Sequence, residues 1–312
     1  NPYRKSAGEY LFLNKSGGAI SLITTTRQIL INVGIQFNKA LSKYLFSYGN
    51  SELISVGEAL RRTKNDPLVT NINQRRLVFY IGDPALKIPM ADPDIRVTKI
   101  NDEDISLNNQ LLKALSPAKI TGNVTNNLGQ VQTNYNGILT ATIFDKDLQR
   151  STIGNDGITD GSDLITLDFN TMGEVIFRGQ ASVTNGLFEF EFIVPRDINV
   201  SQGNGKISLY SKTEAPLTNN RGFSYDIVIG GVNSDAPEDN TGPTIDLFMN
   251  DEAFISGGIT NENPVLIANL FDENGINTAS GIGHDIAATL DGDETNVYKL
   301  NDYYTAAVDD YK

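Results

Sequence analysis

Residues 19–25, AISLITT, form a continuous apolar run that becomes β-branched and has no polar alternation. Such a run is typical of a strand that is buried on both faces of a sheet, so helices must cover it. Residues 75–81, RRLVFYI, predict a second strand that returns to the same sheet. These two segments constrain the first part of the chain to an α/β arrangement.

Helices are predicted between the two strands. Apolar residues recur at three to five residue spacing across residues 27–48, which indicates one long amphipathic helix that ends at Gly49. Ser55 and Glu58 have the spacing of a capping box, so a short helix is predicted from there to Arg62. Strand, crossover helices and strand predict a βαβ unit with parallel strands, which is one side of a doubly wound sheet.

The hydrophobic period changes after a proline-containing linker near residues 88–94. Polar and apolar residues then alternate, most clearly in LFEFEF at residues 187–192, which predicts one buried and one wet face. Seven strands separated by turns predict an immunoglobulin-like β-sandwich. They are predicted at residues 95–100, 119–124, 137–144, 174–183, 187–194, 206–210 and 223–229.

A last block of strands starts near Asp239. The block is too short to complete a sandwich, and its strands are predicted at residues 244–249, 265–271, 285–291 and 297–300. Charge follows the same divisions, because residues 1–93 carry a net +6, residues 94–232 a net −5 and residues 233–312 a net −14. We therefore expect three domains over these ranges, the last of them truncated.

The composition excludes several classes of function. The chain has no cysteine, which excludes disulfides, thiolate zinc sites and a cysteine nucleophile within its 312 residues. A net charge of −13 argues against a nucleic-acid partner, because phosphate contacts need clustered Lys and Arg. No apolar run has the length of a membrane span, and the residues after Asn1 do not have the pattern of a signal peptide.

One candidate site follows from position in the predicted sheet. Ligands of open α/β sheets lie beyond the carboxyl ends of the strands, where Thr24, Thr25, Thr26 and Arg27 follow the first strand. These four residues are predicted to lie near a substrate. The alternative is that the threonines cap the next helix and Arg27 lies on its solvent side. Asp83, after the second strand, stands in Gly-Asp-Pro, which is typical of a turn.

Two loops have the composition of cation sites. Residues 155–163, NDGITDGSD, and residues 291–294, DGDE, are acidic and glycine-rich, which suits calcium. Neither loop has the spacing of an EF-hand, and the alternative is a solvated turn. Calcium is therefore the only cofactor that the sequence raises, and the signal for it is weak.

The single histidine, His284, stands beside Asp285 and downstream of Asp272 and Glu273. Such a group suits a metal or acid–base site, but a hydrolase also needs a nucleophile beside it. The alternative is that these side chains only anchor their loops.

Two strings in the first block resemble one family. GGAISLITTTR at residues 17–27 and GDPAL at residues 82–86 resemble the C-terminal edge of the peptidase domain of gingipain-family cysteine peptidases. DENGIN at residues 272–277 and GIGHD at residues 281–285 extend the resemblance into the last block, where it is to the sortase of type IX secretion. In this family the catalytic cysteine and histidine lie just upstream of the first block. The resemblance implies a caspase-like α/β edge, and a chain that is truncated at both ends and contains no catalytic residue.

The resemblance also implies a function for the parent protein. Such a sortase removes C-terminal sorting signals from secreted cargo proteins by thiolate attack, with histidine as acid and base, and attaches the cargo to the cell surface. The implied partners are cargo proteins and outer-membrane secretion components, and the implied location is the exterior of the outer membrane. The alternative is a non-catalytic surface adhesion protein, which has no need of the α/β block.

Overall fold

The computed structural model describes residues 5–47, 53–88, 90–92, 94–106, 110–126, 128–279 and 285–312. It is mostly β-strand with few helices, and it divides into two compact units, Asn1–Met90 and Ala91–Lys312. No helix in the described part of the chain is long and apolar enough to cross a membrane. The two units are described separately.

The first unit contains the α-helices of the described residues. Its elements are α1 (Ala7–Phe12), β1 (Leu22–Thr25), α2 (Ile31–Leu45), α3 (Val56–Lys64), α4 (Ile72–Arg75) and β2 (Val78–Ile81). The predicted strands and both predicted helices are confirmed within a few residues. Ser55 is the N-cap of α3, and its hydroxyl accepts a hydrogen bond from the Glu58 main-chain N–H at 3.3 Å.

The predicted parallel pairing of these strands is wrong. β1 and β2 are direct neighbours and run antiparallel, with Leu22 opposite Ile81 and Thr25 opposite Val78. The predicted βαβ unit is therefore absent from the described residues, and what remains is an antiparallel pair covered by helices.

The number of helices between the strands explains this orientation. Leu30, where α2 begins, donates its main-chain N–H to the Gln74 side chain beside the start of β2. Val56, where α3 begins, donates to the Leu86 carbonyl beyond the end of β2. The helix α2 thus carries the chain back along the sheet and α3 carries it forward again, so that β2 starts beside the end of β1 and must run antiparallel.

The two faces of the β1–β2 pair are covered differently. The helices α2 and α3 pack on one face, and their core consists of Phe37, Ala40, Leu60, Val69 and Val78, with Ile23, Leu41 and Tyr80 packed against it. The short α1 lies on the other face, where Gly8 comes close to the side chains of Leu22 and Thr24. The helix α1 begins at a full capping box of Ser6 and Glu9, which the sequence analysis did not predict.

The turn after β2 docks on the N-terminus of α3. The Pro84 carbonyl accepts a hydrogen bond from the Gly57 N–H at 3.1 Å, and the Leu86 carbonyl accepts one from the Val56 N–H at 2.7 Å. These donors belong to the first turn of a helix, which has no partners of its own for them. The turn therefore completes α3 and holds it against the sheet.

Replacing Gly57 by alanine tests this docking. An added Cβ would lie 2.8 Å from both the Cβ and the carbonyl oxygen of Pro84. We expect Gly57→Ala to lower the free energy of unfolding by about 1–3 kcal/mol, as overpacked sites do. The matched control is Gly34 of α2, where the nearest atom to an added Cβ is 3.8 Å away. Gly34→Ala should raise the free energy of unfolding by up to about 1 kcal/mol. Urea unfolding of the whole chain measures both changes, and two equal shifts would contradict this packing.

The second unit is built of strands. They are β3 (Ile95–Ile100), β4 (Glu103–Asp104), β5 (Gln110–Ala114), β6 (Pro117–Val124), β7 (Gly137–Phe144), β8 (Leu148–Ser151), β9 (Thr159–Asp160), β10 (Asp163–Leu164), β11 (Asp168–Thr171), β12 (Val175–Thr184), β13 (Leu187–Ile193), β14 (Gly203–Asn204), β15 (Lys206–Lys212), β16 (Asn219–Ser224), β17 (Ile227–Val232), β18 (Thr244–Met249), β19 (Leu266–Phe271), β20 (Ala287–Thr289), β21 (Val297–Lys299) and β22 (Ala306–Val308). A short 3-10 helix, Asn301–Tyr303, precedes β22.

Nine of these strands form one sheet around one core. Its order is β16-β15-β7-β12-β13-β6-β3-β4, with β22 beside β12, and a separate three-stranded sheet has the order β14-β17-β5. The end strand β16 also comes close to β3, because the Arg221 N–H in β16 donates to the Asp92 carbonyl just before β3. Residues from both sheets contribute to a single buried apolar cluster.

The hairpin of β12 and β13 turns the large sheet around this core. Asn185 and Gly186 form its two-residue turn with φ of 52° and 75°, the left-handed pair that favours Asn-Gly. The two strands pair only next to the turn, at Val183–Phe188 and Thr184–Leu187. On its other edge β12 pairs with β7, and on its other edge β13 pairs with β6.

The alternation in LFEFEF is confirmed. The side chains of Phe188, Phe190 and Phe192 are buried in the core, and those of Glu189 and Glu191 are exposed. Six of the seven predicted strands of the middle block are confirmed within two residues at each end.

The predicted strand at residues 223–229 is wrong as one element. The chain breaks between β16 and β17, because the Ser224 hydroxyl donates to the Asp226 carboxylate and accepts from the Asp226 N–H at 3.0 Å. This local turn outweighs the β-propensity of the flanking residues.

The last block forms two separate hairpins, β18–β19 and β20–β21, and then returns to the large sheet. Its first, second and fourth predicted strands are confirmed, while the strand predicted at residues 285–291 is only the three residues of β20. The strand β22 was not predicted, and it pairs parallel with β12, with Ala306 opposite Gly179. Residues 306–308 therefore share a sheet with the middle block.

Candidate functional site

The predicted rim residues lie at the end of β1, but on different faces. Thr24 and Thr25 are half-buried neighbours in the strand, so their side chains point to opposite faces of the pair. Thr24 faces α1, and Thr25 lies opposite Val78 on the face that α2 and α3 cover. The two threonines therefore do not form one site.

Thr26 has a structural role. Its main-chain N–H donates to the Leu77 carbonyl at 2.9 Å, and its hydroxyl donates to the same oxygen at 3.4 Å. These bonds extend the pairing of β1 with the start of β2. The alternative that threonines cap α2 is wrong, because its N-cap is Leu30, which has no side-chain hydrogen bond to the helix.

Arg27 is a predicted rim residue whose charged group is available to a ligand in the described structure. The residue is exposed and follows directly after the end of β1, and its guanidinium has no hydrogen bond or ion pair to another described residue. The charged side chains of α3 differ in this respect. Glu58 accepts hydrogen bonds from Arg61 at 2.7 and 2.8 Å and from Arg62 at 2.8 Å.

Asp83 forms the predicted turn. Its carboxylate accepts a hydrogen bond from the Ala85 N–H at 2.9 Å, and its carbonyl accepts one from the Tyr80 hydroxyl at 2.8 Å. Gly82 precedes it with φ of 135°, a conformation that favours glycine. The turn interpretation of Gly-Asp-Pro is confirmed.

Glu58 and Asp66, like Glu9 at the start of α1, have lowered pKa values. Hydrogen bonds from Arg61 and Arg62 lower the pKa of Glu58 to about 2. The Leu68 N–H and the Tyr44 hydroxyl, which donate to Asp66, lower its pKa as well. Both carboxylates are therefore already engaged in holding the helices.

The state of Glu58 makes the stability of the first unit depend on pH. Its pKa in the folded chain is about 2, below the 4.5 of a free glutamate, so its contribution is present above pH 4.5 and is lost as the pH falls toward 2. We expect Glu58→Gln to flatten the fall of the urea midpoint over this interval. Glu238→Gln, at an exposed residue of the second unit, is the control. An unchanged pH profile in Glu58→Gln, or a carboxyl NMR titration of Glu58 near 4.5, would contradict the assignment.

Carboxylates of both acidic loops accept hydrogen bonds from residues of the same loop or directly after it. In residues 155–163 the Asp156 carboxylate accepts from the Ile158 N–H at 3.3 Å, and Asp160 pairs with Asp163 in the exposed hairpin β9–β10. In residues 291–294 the Asp293 carboxylate accepts from Thr295 and Asn296 at 2.6 Å each, and these bonds lower its pKa.

The histidine lies outside the described residues. Of its predicted neighbours, the Asp272 carboxylate accepts from the Asn274 N–H at 2.8 Å, and Asp285 forms an ion pair with Lys299. No group of three or more His, Asp or Glu side chains that suits a metal ion occurs among the described residues. The sequence contains no cysteine, so it has no thiol nucleophile.

Comparison with known proteins gives the class to which the first unit belongs. Residues 1–89, nearly the whole of the first unit, match the model of peptidase family C25, the gingipain family. The predicted resemblance to gingipain-type peptidases is thereby confirmed. None of the curated proteins matches the chain.

The solved structures extend the comparison into the second unit. The chain is 32% identical to dimeric latent PorU from Porphyromonas gingivalis over 81% of its length, with a TM-score of 0.49. The match spans 24% of that PorU chain, so the present chain corresponds to about a quarter of it. A second match, to the sporulation control protein Spo0M from Bacillus subtilis, has 12% identity and a TM-score of 0.22 over 46% of this chain and 51% of that one. At that level it bears on neither fold nor function.

Proposed function

We propose that this chain is part of a cysteine peptidase that acts as a sortase of type IX secretion. The observation that carries the proposal is the 32% identity to PorU across both units, together with the C25 match of residues 1–89. The parent enzyme removes C-terminal sorting signals from secreted cargo and attaches the cargo to the cell surface. An adhesion protein made only of β-modules is disfavoured by the C25 match.

The first unit supplies an edge of the doubly wound peptidase domain in this proposal. The catalytic cysteine and histidine belong to a preceding part of the parent protein, so the chain by itself has no peptidase activity. Arg27 lies on the cleft side of this edge and contacts the substrate, and Thr24, Thr25 and Thr26 hold the strand that positions it. The Arg27 guanidinium, which has no hydrogen bond or ion pair to another described residue, supports this role, because a substrate carboxylate or carbonyl can accept from it.

The second unit supports the peptidase domain or binds the cargo signal. We infer immunoglobulin-like modules in it, divided near residue 233 as the charge distribution predicts. The partners are cargo proteins and outer-membrane secretion components, and the location is the cell surface. The net charge of −14 over residues 233–312 suits an exported, solvated surface.

Exchange of Arg27 in the complete gene product tests the proposal. We expect Arg27→Gln to lower the rate of cargo-signal removal about tenfold, the loss of one charge-assisted hydrogen bond to the substrate. Lys39→Gln is the control, because Lys39 is an exposed cation on α2. Signal removal is measured from the ratio of unprocessed to processed cargo in cell fractions. Full processing in cells that lack the gene contradicts the sortase function, and equal rates for Arg27→Gln and Lys39→Gln contradict only the role of Arg27.

A further inference from the structure

Beyond Phe188, one edge of β13 has no ladder partner among the described residues. On one side it pairs with β6 along its full length, from Leu187–Asn123 to Ile193–Pro117. On the other side its pairing with β12 stops after Phe188, and no described residue continues that ladder. An unpaired edge of this kind presents main-chain donors and acceptors to any extended chain.

The ladder with β6 shows which groups face the open side. The Val124 N–H donates to the Gly186 carbonyl at 2.8 Å, and the Val194 N–H donates to the Ser116 carbonyl at 3.0 Å. The even-numbered residues of β13 therefore bond toward β6. Because antiparallel bonding alternates along a strand, the N–H and C=O groups of Glu189 and Glu191 point away from β6, into the open side.

The opposite wall is the C-terminal segment beside β12. The Asp309 N–H donates to the Gln180 carbonyl at 3.0 Å, and the Asp309 carboxylate accepts from the main chain and hydroxyl of Ser182 at 2.7 and 2.6 Å. Ala306 lies against Gly179, and Tyr304 and Tyr311 pack on the core. Hydrogen bonds, strand pairing and core packing therefore fix this wall on the large sheet.

A cavity of about 310 Å³ lies between the two walls, at the lower end of the range for ligand pockets. We call it the β13 slot. It is lined by Phe177, Gln180, Glu189, Phe190, Glu191, Asp309, Asp310 and Tyr311.

The charges of the slot are of one sign. Four carboxylates line it, and Lys119, which is not part of the lining, forms an ion pair with Glu189 at 3.1 Å. Asp309 is held by neutral donors of Ser182, and Asp310 accepts from the Lys312 N–H at 3.0 Å. Aromatic rings of Phe177, Phe190 and Tyr311 lie beside these carboxylates. An occupant therefore needs positive side chains on one face and apolar side chains on the other.

We propose that the β13 slot binds an extended, positively charged peptide segment as an added strand on β13. In this geometry the peptide main chain bonds to Glu189 and Glu191. Its lysine or arginine side chains lie beside the exposed carboxylates, and the alternate side chains lie against Phe190 and Tyr311. The proposal is independent of the proposed sortase function, because it depends only on the second unit.

Binding of a synthetic peptide to the whole chain tests this proposal. The probe is the fluorescein-labelled heptapeptide TKVKVKT, and fluorescence anisotropy measures its binding in low-salt buffer. We expect saturable binding that weakens as salt rises, because the carboxylates are exposed. Two further peptides are controls, TEVEVET and TKVKVKT with every main-chain nitrogen methylated. The first has the wrong charge and the second has no main-chain donors, so neither should bind.

Two variants of Glu191 separate the contribution of its main-chain N–H to peptide binding from that of its charge. Glu191→Pro removes the N–H that faces the slot and leaves the ladder with β6 intact, since proline is tolerated on an unpaired edge. We expect it to weaken binding about tenfold or more, through a lost hydrogen bond and a blocked edge. Glu191→Gln retains the N–H and should weaken binding only about two- to fivefold. Circular dichroism checks that both variants are folded.

The outcomes decide between the occupants. Absence of saturable binding of TKVKVKT to the wild-type chain overturns the proposal. Binding of the methylated peptide as tight as that of TKVKVKT also overturns it, and this comparison uses only the wild-type chain. Unchanged binding to Glu191→Pro also overturns it. If light scattering instead shows a dimer that Glu191→Pro abolishes and that the peptide does not disturb, the edge serves a second copy of the chain and the peptide proposal fails.

Discussion

The second unit depends on the stack of Phe177, Phe190 and Phe192. Phe177 comes from β12 and the other two from β13, with ring centroids 5.5 and 4.6 Å from Phe177. Such pairs add roughly 0.5–1.5 kcal/mol each to the burial of the rings. The Asn185-Gly186 turn brings the strands together at one end, and the rings keep them packed face to face beyond it. The same hairpin thus lets one sheet enclose the core, and beyond Phe188 it leaves one edge of β13 with no ladder partner in the part of the chain that the structure describes.

The first unit depends on the contact between a turn and a helix end. After β2, the carbonyls of Pro84 and Leu86 accept hydrogen bonds from the N–H groups at the start of α3. The helices α2 and α3 pack on the same face of the β1–β2 pair. This arrangement fixes where β2 begins and therefore its direction. It also leaves Arg27 exposed at the end of β1 while the threonines before it are used by the strand. The geometry of the rim therefore follows from the two helices that cross the sheet between the strands and from the docking of the turn on α3.

Sequence reasoning succeeded where the signal is local. The alternation of LFEFEF, the Ser55 cap and the Gly-Asp-Pro turn each depend on residues within a few positions of one another, and all are found. The direction of β2 and the pairing of β22 depend on contacts between distant segments, and three residues such as Ala306–Val308 carry no pattern of their own. Part of the candidate site was still readable. Alternation along a strand already places Thr24 and Thr25 on opposite faces, and the spacing of Ser6 and Glu9 already indicates a helix start.

The open edge of β13 persists in the folded chain for two reasons. Its inner face is filled by phenylalanine rings, so β12 cannot close on β13 without displacing the stack. On the outer face, the carboxylates of Glu189, Glu191, Asp309 and Asp310 line the same cavity, and like charges oppose any approach of the two walls. The Asp309 carboxylate is in turn fixed on Ser182, so this repulsion cannot be relieved by a simple rotation of that side chain. A bound peptide with positive side chains offsets the repulsion between the carboxylates, and its main chain bonds to the unpaired groups of β13. The charge and the unpaired edge therefore point to the same ligand.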